Sequence, residues 1–439
     1  MRGKGRPGFR RIFEIPPSRH PIRCRMNAVR LLFVIACAAP LAAAPVPKDF
    51  DRPPTAAQLR AAKEAFEKFG GRHTTYTDER GRLRHRFTLH RSPTDADLAA
   101  LPRPSFRYDL YLDAINLSDA GMAAFAGSKR LESLTLTRLK HIDDGLKHLA
   151  KWEGLTELSL TSSYLTVAGV RHVGRLKNLT RLELSGSAIT DECVAELVEL
   201  GQLTHLDLNK TNVTDDGLKH LKAFPKLRSL DLSLNPNDTV GKGVSDDGLK
   251  ELLALPELRS LNLRYTNITD AGLKSLAKCP KLTELDLFST KVTDAGVRDL
   301  LATKPGLTKL NLGRVKLTDA GTVGLEKLEH LTTLCPSHTE IGEATLARVG
   351  KLKRLVELNL YYAEKVTDAG AKSLRGLSRL ESLNLGETAI TDAALADVAK
   401  LKVLKRLGLS RAVGPIKVTD AGEDALRKAR PDVAIHRDY

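Results

Sequence analysis

Eight recurring Thr-Asp pairs are the residues of this 439-residue chain whose type and spacing most suggest chemistry. Carboxylates can act as general acids and bases or bind calcium. Each pair comes just before a stretch with helical apolar spacing, where a hydroxyl and a carboxylate cap free N–H groups. The pattern therefore predicts helix caps, and neither catalytic residues nor metal ligands, for Asp191, Asp215, Asp270, Asp294, Asp319, Asp368, Asp392 and Asp420.

Other chemical motifs are missing from the sequence. It contains no G-x-x-x-x-G-K, G-x-S-x-G, H-E-x-x-H or EF-hand pattern. The twelve histidines and five cysteines show no ligand spacing, and Cys193 and Cys279 fall within helical segments. We therefore predict a protein that is not an enzyme, with no cofactor and no metal site.

The elements that position these residues are copies of one unit, seen most clearly between Leu203 and Phe224. Leu206 and Leu208 alternate with polar residues, which predicts a short strand with one buried and one exposed face. Leu218, Leu221 and Phe224 are three residues apart, as on the buried side of a short helix. Gly217 is expected where the helix approaches a neighbouring copy closely.

Copies of this unit follow one another at steps of about 24 residues, which is the signature of a solenoid. One unit cannot bury its own apolar face, so the copies must stack and share a core. The first leucines of the copies are Leu131, Leu155, Leu179, Leu203, Leu227, Leu258, Leu282, Leu307, Leu331, Leu355, Leu380 and Leu404.

The consensus L-x-x-L-x-L-x-x-[T/N]-x-[I/V]-T-D-x-G-L resembles leucine-rich repeats. It is most similar to the cysteine-containing subtype of F-box adaptors and to bacterial 24-residue repeats. The resemblance implies an α/β fold: a right-handed solenoid, or horseshoe, with a parallel sheet on the concave face and helices on the convex face. About 13 repeats plus end caps are expected. The family's Asn or Cys after the strand is here mostly a hydroxyl, as in Ser163, Ser187, Thr211, Thr266, Thr290, Thr339 and Thr388.

Function in such a fold lies at exposed strand positions, where aromatic and arginine side chains are common interface anchors. Aromatic residues make up only 5% of the chain, yet several fall at these positions between residues 264 and 362. The candidate partner-binding residues are Arg264, Tyr265, Asp286, Phe288, Arg314, His338, Tyr361 and Tyr362. Two alternatives remain at this level: the aromatic rings pack only on each other, and the Asn/Asp positions form a structural ladder.

Two irregular copies modify this surface. A longer loop at Asn235–Gly243 is expected to form a lip beside the candidate site. Pro336 replaces an inward leucine and lacks the N–H group that a ladder uses, so a local break in the parallel sheet is expected there.

The net charge of +16 is not a nucleic-acid signal, because half of it lies in residues 1–44. Residues 1–44 contain nine Lys and Arg residues and one acidic residue, Glu14, which gives a net charge of +8. The remaining +8 comes from basic residues that are interleaved with acidic ones along the chain. Nucleic-acid binding needs basic residues clustered on one face. We therefore expect a protein or peptide partner, no nucleic acid and a monomeric chain.

The N-terminal segment resembles an export signal. Arg30 precedes the apolar run Leu31–Ala44 and small residues, and the run is too short to span a membrane. The expected organisation is a basic extension or mis-assigned start (1–25), a signal peptide (26–44), a linker with a capping helix (45–82) and the repeat domain (83–439). Met26 is then the expected start. Exported lipoprotein, acylated at Cys37, is an alternative, as is no export.

The favoured function is a non-catalytic scaffold that binds a protein or peptide on the concave surface, in the periplasm, cell envelope or outside the cell. An exported binder of envelope polysaccharide is the alternative, because Asn, Asp and aromatic residues also suit sugars. An adaptor role like that of the F-box relatives is a third, although no F-box-like helical segment precedes the repeats.

Overall fold

A single sheet whose strands follow chain order organises the protein. The computed structural model describes residues 53–89, 93–112, 117–140, 143–234, 243–409 and 418–437. In these ranges sixteen strands form one sheet in the order β1 to β16. The strands are β1 (Gly71–Thr77), β2 (Leu83–Leu89), β3 (Tyr108–Leu112), β4 (Leu131–Leu136), β5 (Glu157–Ser159), β6 (Arg181–Glu183), β7 (His205–Asp207), β8 (Ser229–Asp231), β9 (Ser260–Asn262), β10 (Glu284–Asp286), β11 (Lys309–Asn311), β12 (Thr333–Cys335), β13 (Glu357–Asn359), β14 (Ser382–Asn384), β15 (Arg406–Gly408) and β16 (Ala434–His436).

Helical segments alternate with the strands and complete each coil. The α-helices are α1 (Ala56–Glu67), α2 (Asp95–Ala100), α3 (Asp119–Phe125), α4 (Val167–Val173), α5 (Asp191–Ala195), α6 (Asp215–Leu218), α7 (Asp270–Leu276), α8 (Asp294–Thr303), α9 (Glu343–Val349), α10 (Asp368–Lys372), α11 (Asp392–Val398) and α12 (Asp420–Ala429). Tighter 3₁₀ turns occupy Gly145–Lys151, Leu221–Ala223, Gly248–Ala254, Leu325–Lys327 and Ser373–Gly376.

The leucines of each unit form the shared core, as the pattern predicts. Leu206 and Leu208 are buried from the strand side, and Leu218 and Leu221 from the helix side. Neighbouring strands lie ~4.8 Å apart, whereas packed helices need about 8–10 Å. The stack therefore curves with the sheet on its inner side. The expected repeat solenoid, with a parallel sheet and alternating helices, is confirmed.

Each Thr-Asp pair joins two neighbouring coils. Thr214 is the N-cap of α6, and its side chain accepts a hydrogen bond from the N–H of Asp216, as predicted. The carboxylate of Asp191, from the preceding pair, accepts from the N–H of Thr214 at 2.8 Å and from its hydroxyl at 2.6 Å. The aspartate thus bonds the cap of the next coil, a role that helix capping alone does not predict.

Gly217 lies against this inter-coil contact. A Cβ built on Gly217 would overlap Oδ1 of Asp191 and approach Val213 Cγ1 to 2.8 Å. The expected close approach of helix and neighbouring coil is therefore present. The group that approaches is the Asp191 carboxylate, which also bonds Thr214.

The hydroxyls that replace the family's Asn or Cys bond the backbone in two ways. Thr211 and Thr266 donate to carbonyls of their own coils, those of Leu208 at 2.7 Å and Leu263 at 2.6 Å. Ser187 instead donates to Leu160 O of the preceding coil at 2.9 Å. Both arrangements satisfy a buried polar group, so the substitution is compatible with the fold.

The expected break at Pro336 is wrong. β12 pairs in parallel with β11 over three residues and with β13 over two. Pro336 is buried in the inward position, and the ladder resumes where His338 N–H donates to Tyr361 O at 2.8 Å. The missing N–H removes one bond, and the bonds on either side keep the sheet continuous.

The N-terminal end is closed by α1 and by a hairpin that the sequence pattern did not predict. Phe66 of α1 stacks on Phe87 with ring centroids 4.2 Å apart. β1 runs antiparallel to β2, whereas every later pair, from β2–β3 to β15–β16, is parallel. We call residues 71–89 the N-terminal arm.

At the other end, β16 follows α12 and forms the last strand. Glu423 takes a position that leucine fills in other coils, and it is buried. Its carboxylate is paired with Arg427 at 2.6 Å and with Arg437 at 2.8 Å. These ion pairs let a charged residue occupy a core position at the end of the stack.

Several predictions fall on residues outside the described ranges. They are the basic extension and signal peptide, including Met26 and Cys37, and residues 235–242 of the proposed lip. Within the described ranges no helix is long and apolar enough to cross a membrane. The same ranges contain no group of three or more His, Cys, Asp or Glu residues that could hold a metal ion.

Candidate functional site

The strand-end Asp and Asn residues shape the turn that carries the candidate site. Oδ1 of Asp286 accepts from Phe288 N–H at 2.9 Å, and Oδ1 of Asn359 accepts from Tyr361 N–H at 3.0 Å. Neighbouring members also bond each other, since Asn311 Nδ2 donates to Asp286 Oδ2 at 3.0 Å. These bonds support the interpretation that the Asp and Asn residues at the strand ends form a structural ladder.

The second residue after the last inward position of most coils has a left-handed backbone. Among the described residues, Gly186 has φ 68° at this position. The others are non-glycine residues with φ between 55° and 61°: Arg138, Ser162, Lys210, Tyr265, Ser289, Arg314, His338, Tyr362 and Glu387. A bulky side chain in this region is strained by about 1–2 kcal/mol. We call this set the left-handed column.

One aromatic group lies beside β9 and β10, and we call Tyr265 and Phe288 the upstream aromatic group. Their rings make an edge contact with centroids 5.4 Å apart. The guanidinium carbon of Arg264 lies 4.4 Å from the Phe288 centroid, and Arg264 Nη1 lies 3.3 Å from Asp286 Oδ2. Burial raises the pKa of Asp286, while Arg264 opposes that shift.

Gly313 explains how Phe288 is accommodated. A Cβ on Gly313 would lie 2.5 Å from Phe288 Cδ2 and 2.8 Å from Ser337 Oγ. The ring therefore lies down over the next coil. Its exposed fraction is only 7%, so the expectation that Phe288 is an exposed anchor is wrong: Arg264, Tyr265 and the next coil cover it.

A second aromatic group lies beside β12 and β13, and we call His338, Tyr361 and Tyr362 the downstream aromatic group. The His338 ring stacks on Tyr362 at 4.9 Å and makes an edge contact with Tyr361 at 5.2 Å. Burial, followed by the charge of Arg314, lowers the pKa of His338 to about 4. His338 is therefore neutral at pH 7.

Arg314 stands between the two aromatic groups. Its side chain is exposed, its guanidinium carbon lies 5.8 Å from the Phe288 centroid, and its charge acts on His338 and Tyr361. The structure thus brings all eight predicted residues onto one surface of five neighbouring coils. We call this surface the aromatic patch.

Sequence reasoning missed two features of the patch. Gly313 leaves the space beside Ser337 that the Phe288 ring fills, and the left-handed backbone orients Tyr265, Arg314, His338 and Tyr362. The sequence signal for the second feature was present, because Gly186 occupies the same position in an earlier coil.

The N-terminal arm covers part of the other half of the sheet. Tyr76 donates to Asp109 of β3 at 2.6 Å, and Arg84 pairs with Asp109 and with Glu132 of β4, the latter at 3.3 Å. Glu79 at the arm's turn reaches Arg181 of β6 at 2.6 Å. The arm therefore spans about four strand spacings on the side where the strands begin.

Two family models match parts of the chain. A model described as two copies of leucine-rich repeats matches residues 256–299, and a leucine-rich-repeat model matches residues 175–198 and 203–222. No curated protein matches the chain.

Solved structures with a similar fold come from several organisms. A chain of the Rad7–Elc1 complex of yeast is 18% identical, with 78% of this chain and 83% of that chain covered and a TM-score of 0.51. An internalin of Listeria monocytogenes is 21% identical, with 67% and 89% covered and a TM-score of 0.45. A leucine-rich-repeat protein of Leptospira interrogans is 20% identical, with 79% and 93% covered and a TM-score of 0.46.

The matched segments and the coils around them share one architecture. The two models cover strands β6, β7, β9 and β10, and the other coils repeat the same strand, turn and helix. The chain therefore has the leucine-rich-repeat fold.

Proposed function

We propose that this protein is a non-catalytic scaffold that binds a protein or peptide partner through the aromatic patch. The observation that carries the proposal is the cluster of large side chains on one surface. The left-handed backbone recurs in coils inside and outside the patch, so it belongs to the repeated turn. In the coils of β9 to β13 these turns carry aromatic rings that contact one another beside the exposed Arg314.

The composition of the patch supports the same function. Tyrosine and arginine are enriched among residues that dominate binding energy, because they combine large contact area with polar groups. The patch extends over five coils, β9 to β13, so it is on the order of 20 Å long. This length fits a peptide or one edge of a globular partner.

The position of the N-terminal arm also favours partner binding on the half of the sheet that carries the aromatic patch. Its bonds occupy residues of β3, β4 and β6, on the half that lacks the aromatic groups. The yeast neighbour belongs to a complex of two proteins, which is consistent with protein binding by this fold. We also propose that the partner is met outside the cytoplasm, because residues 26–44 resemble an export signal.

A random peptide library, selected against the purified protein, tests the proposal. Tyr265→Ala and Tyr361→Ala should each weaken binding of the selected peptides by ~1–3 kcal/mol, with the melting temperature almost unchanged. Ser162→Ala is the matched control, because Ser162 belongs to the left-handed column but lies outside the patch.

Two outcomes would contradict the proposal. Loss of binding in Ser162→Ala with normal binding in both tyrosine variants would place the site in the N-terminal half. Binding to a panel of envelope polysaccharides through Tyr265 and Tyr361, with no peptide selected, would establish the sugar-binding alternative instead.

A further inference from the structure

The centre of the aromatic patch carries an uncompensated positive charge. Arg264 is paired with Asp286 at 3.3 Å, and His338 is neutral at pH 7. Arg314 is exposed and, within the described ranges, makes no ion pair. The Arg314 guanidinium can therefore donate charge-assisted hydrogen bonds to a carboxylate of a partner.

Arg314 is flanked by apolar surface on both sides. The upstream aromatic group lies on one side, with Phe288 5.8 Å from the guanidinium carbon. On the other side is the downstream aromatic group, whose rings are 4.9–6.2 Å apart. Between them the Phe288 ring covers Gly313, and Ser337 is buried, so no bulky side chain separates Arg314 from either group.

The spacing of these features matches an extended peptide. Tyr265 follows β9 and His338 follows β12, three strand spacings apart, or about 14 Å. In an extended chain, residues i, i+2 and i+4 point to the same side and span about 13 Å. Such a peptide, crossing the strands, would place residues i and i+4 on the two aromatic groups and residue i+2 over Arg314.

We propose that the partner presents an extended segment of the pattern aromatic-x-acidic-x-aromatic, with the acidic side chain bound to Arg314. The pattern is the same in both chain directions, so either orientation across the strands satisfies it. This inference rests on the proposed function, since it names the chemistry of the partner for that same surface.

Fluorescence anisotropy with synthetic peptides tests the inference. The probe is a labelled, C-terminally amidated peptide, Gly-Ser-Phe-Ser-Glu-Ser-Phe-Ser-Gly. The comparison peptides carry Gln or Lys in place of Glu, or the contiguous order Phe-Glu-Phe. The native protein should bind the Glu probe about tenfold more tightly than the Gln peptide, as expected for one charge-assisted hydrogen bond. The contiguous peptide should bind more weakly than the probe, because its anchors cannot span the patch.

Variants of Arg314 test whether this residue causes the preference for the Glu peptide. Arg314→Gln should bind the Glu and Gln peptides equally, and Arg314→Glu should prefer the Lys peptide. Lys210→Gln is the matched control, because Lys210 is exposed and has φ 56° in the same left-handed column. It should keep the tenfold preference. Equal melting temperatures of the native and variant proteins would show that all of them are folded.

The failures of the two proposals are distinguishable. Equal binding of the Glu and Gln peptides by the native protein, or a Glu preference that survives in Arg314→Gln, would overturn the acidic pattern. Dependence of that binding on Tyr265 and Tyr361 would still support the proposed function. If none of these peptides binds, the pattern is wrong, and the library selection then decides the proposed function independently.

Discussion

Asp207 shows how strongly the coil-to-coil environment changes a single residue. It lies beside Glu183 and Asp231 in the parallel register of β6, β7 and β8. Burial, followed by the charge of Asp231, raises the pKa of Asp207 to about 7, although the N–H of Asn209 opposes the shift. Between pH 3.8 and about 7 the folded protein therefore retains a proton that the unfolded chain releases. The contribution of this group to stability is lost as the pH rises through that window.

Asp207→Asn tests this linkage. The amide oxygen can still accept the bond from Asn209 N–H, which is 2.8 Å long in the native protein, while the penalty for ionisation disappears. The variant should gain free energy of unfolding relative to the native protein, by up to ~1.4 kcal/mol per pH unit between pH 4 and 7. Urea denaturation at pH 5 and pH 8 measures the effect. Asp299→Asn, at an exposed position of α8, is the control. An Asp207→Asn gain of equal size at both pH values would contradict the assignment.

The candidate residues could be chosen from the sequence, but their environments could not. The inward leucines set which positions lie on the sheet, so the eight site residues follow from the period. The burial of Phe288 depends on Gly313, 25 positions later, and thus on the register between coils. Pro336 was misjudged for the same reason, because neighbouring bonds compensate for the one it lacks.

At the level of the elements, the size of one residue at the start of each helix depends on the side chain that the preceding coil places against it. Gly217 faces Asp191 of the preceding coil. One coil earlier, Cys193 occupies the position equivalent to Gly217, and the residue equivalent to Asp191 is Val167. The small residue is therefore associated with the incoming aspartate.

Gly217→Ala should lower the free energy of unfolding by ~1–3 kcal/mol, because the new Cβ meets the carboxylate of Asp191 and the side chain of Val213. Asp191→Ala should also destabilise the protein, because it removes two bonds to Thr214. The double variant should be less destabilised than the sum of the two, since the first clash then disappears. Chemical denaturation provides the three values.

Gly306→Ala serves as the control for this cycle. A Cβ on Gly306 would have no heavy atom within 4 Å, so its substitution should leave stability almost unchanged. Strictly additive effects of Asp191→Ala and Gly217→Ala would show that the two residues do not interact.

Most elements were predictable from the sequence. The exception is β1, for a physical reason. A strand is recognised by alternating apolar residues, and leucine alternation marks β4 to β15, with Pro336 in place of the second leucine beside β12. β1 reads GRHTTYT and has no such alternation. It is held by main-chain pairing with β2 and by ionic contacts of the arm, which depend on distant parts of the chain.

At the scale of the whole molecule, we propose that the chain is exported. The motivation is Arg30 and the apolar run Leu31–Ala44, which lie outside the described residues. N-terminal sequencing of the native protein should find a mature start near Ala44 or Pro45. An acylated start at Cys37 would establish the lipoprotein alternative. An intact terminus at Met1 or Met26 would contradict export.

The nearly constant distance along the chain between bonded coils has a consequence for folding kinetics. Asp191 and Thr214 are 23 residues apart, and Lys405 and Glu381 are 24 apart. Loop-closure entropy depends on this separation and not on total length, so each added coil docks with the same entropic penalty as the one before. Relative contact order stays low, which favours rapid folding outward from any well-formed pair of coils. The Glu79–Arg181 contact instead spans 102 residues, so the N-terminal arm should close only after β3 to β6 have assembled beneath it.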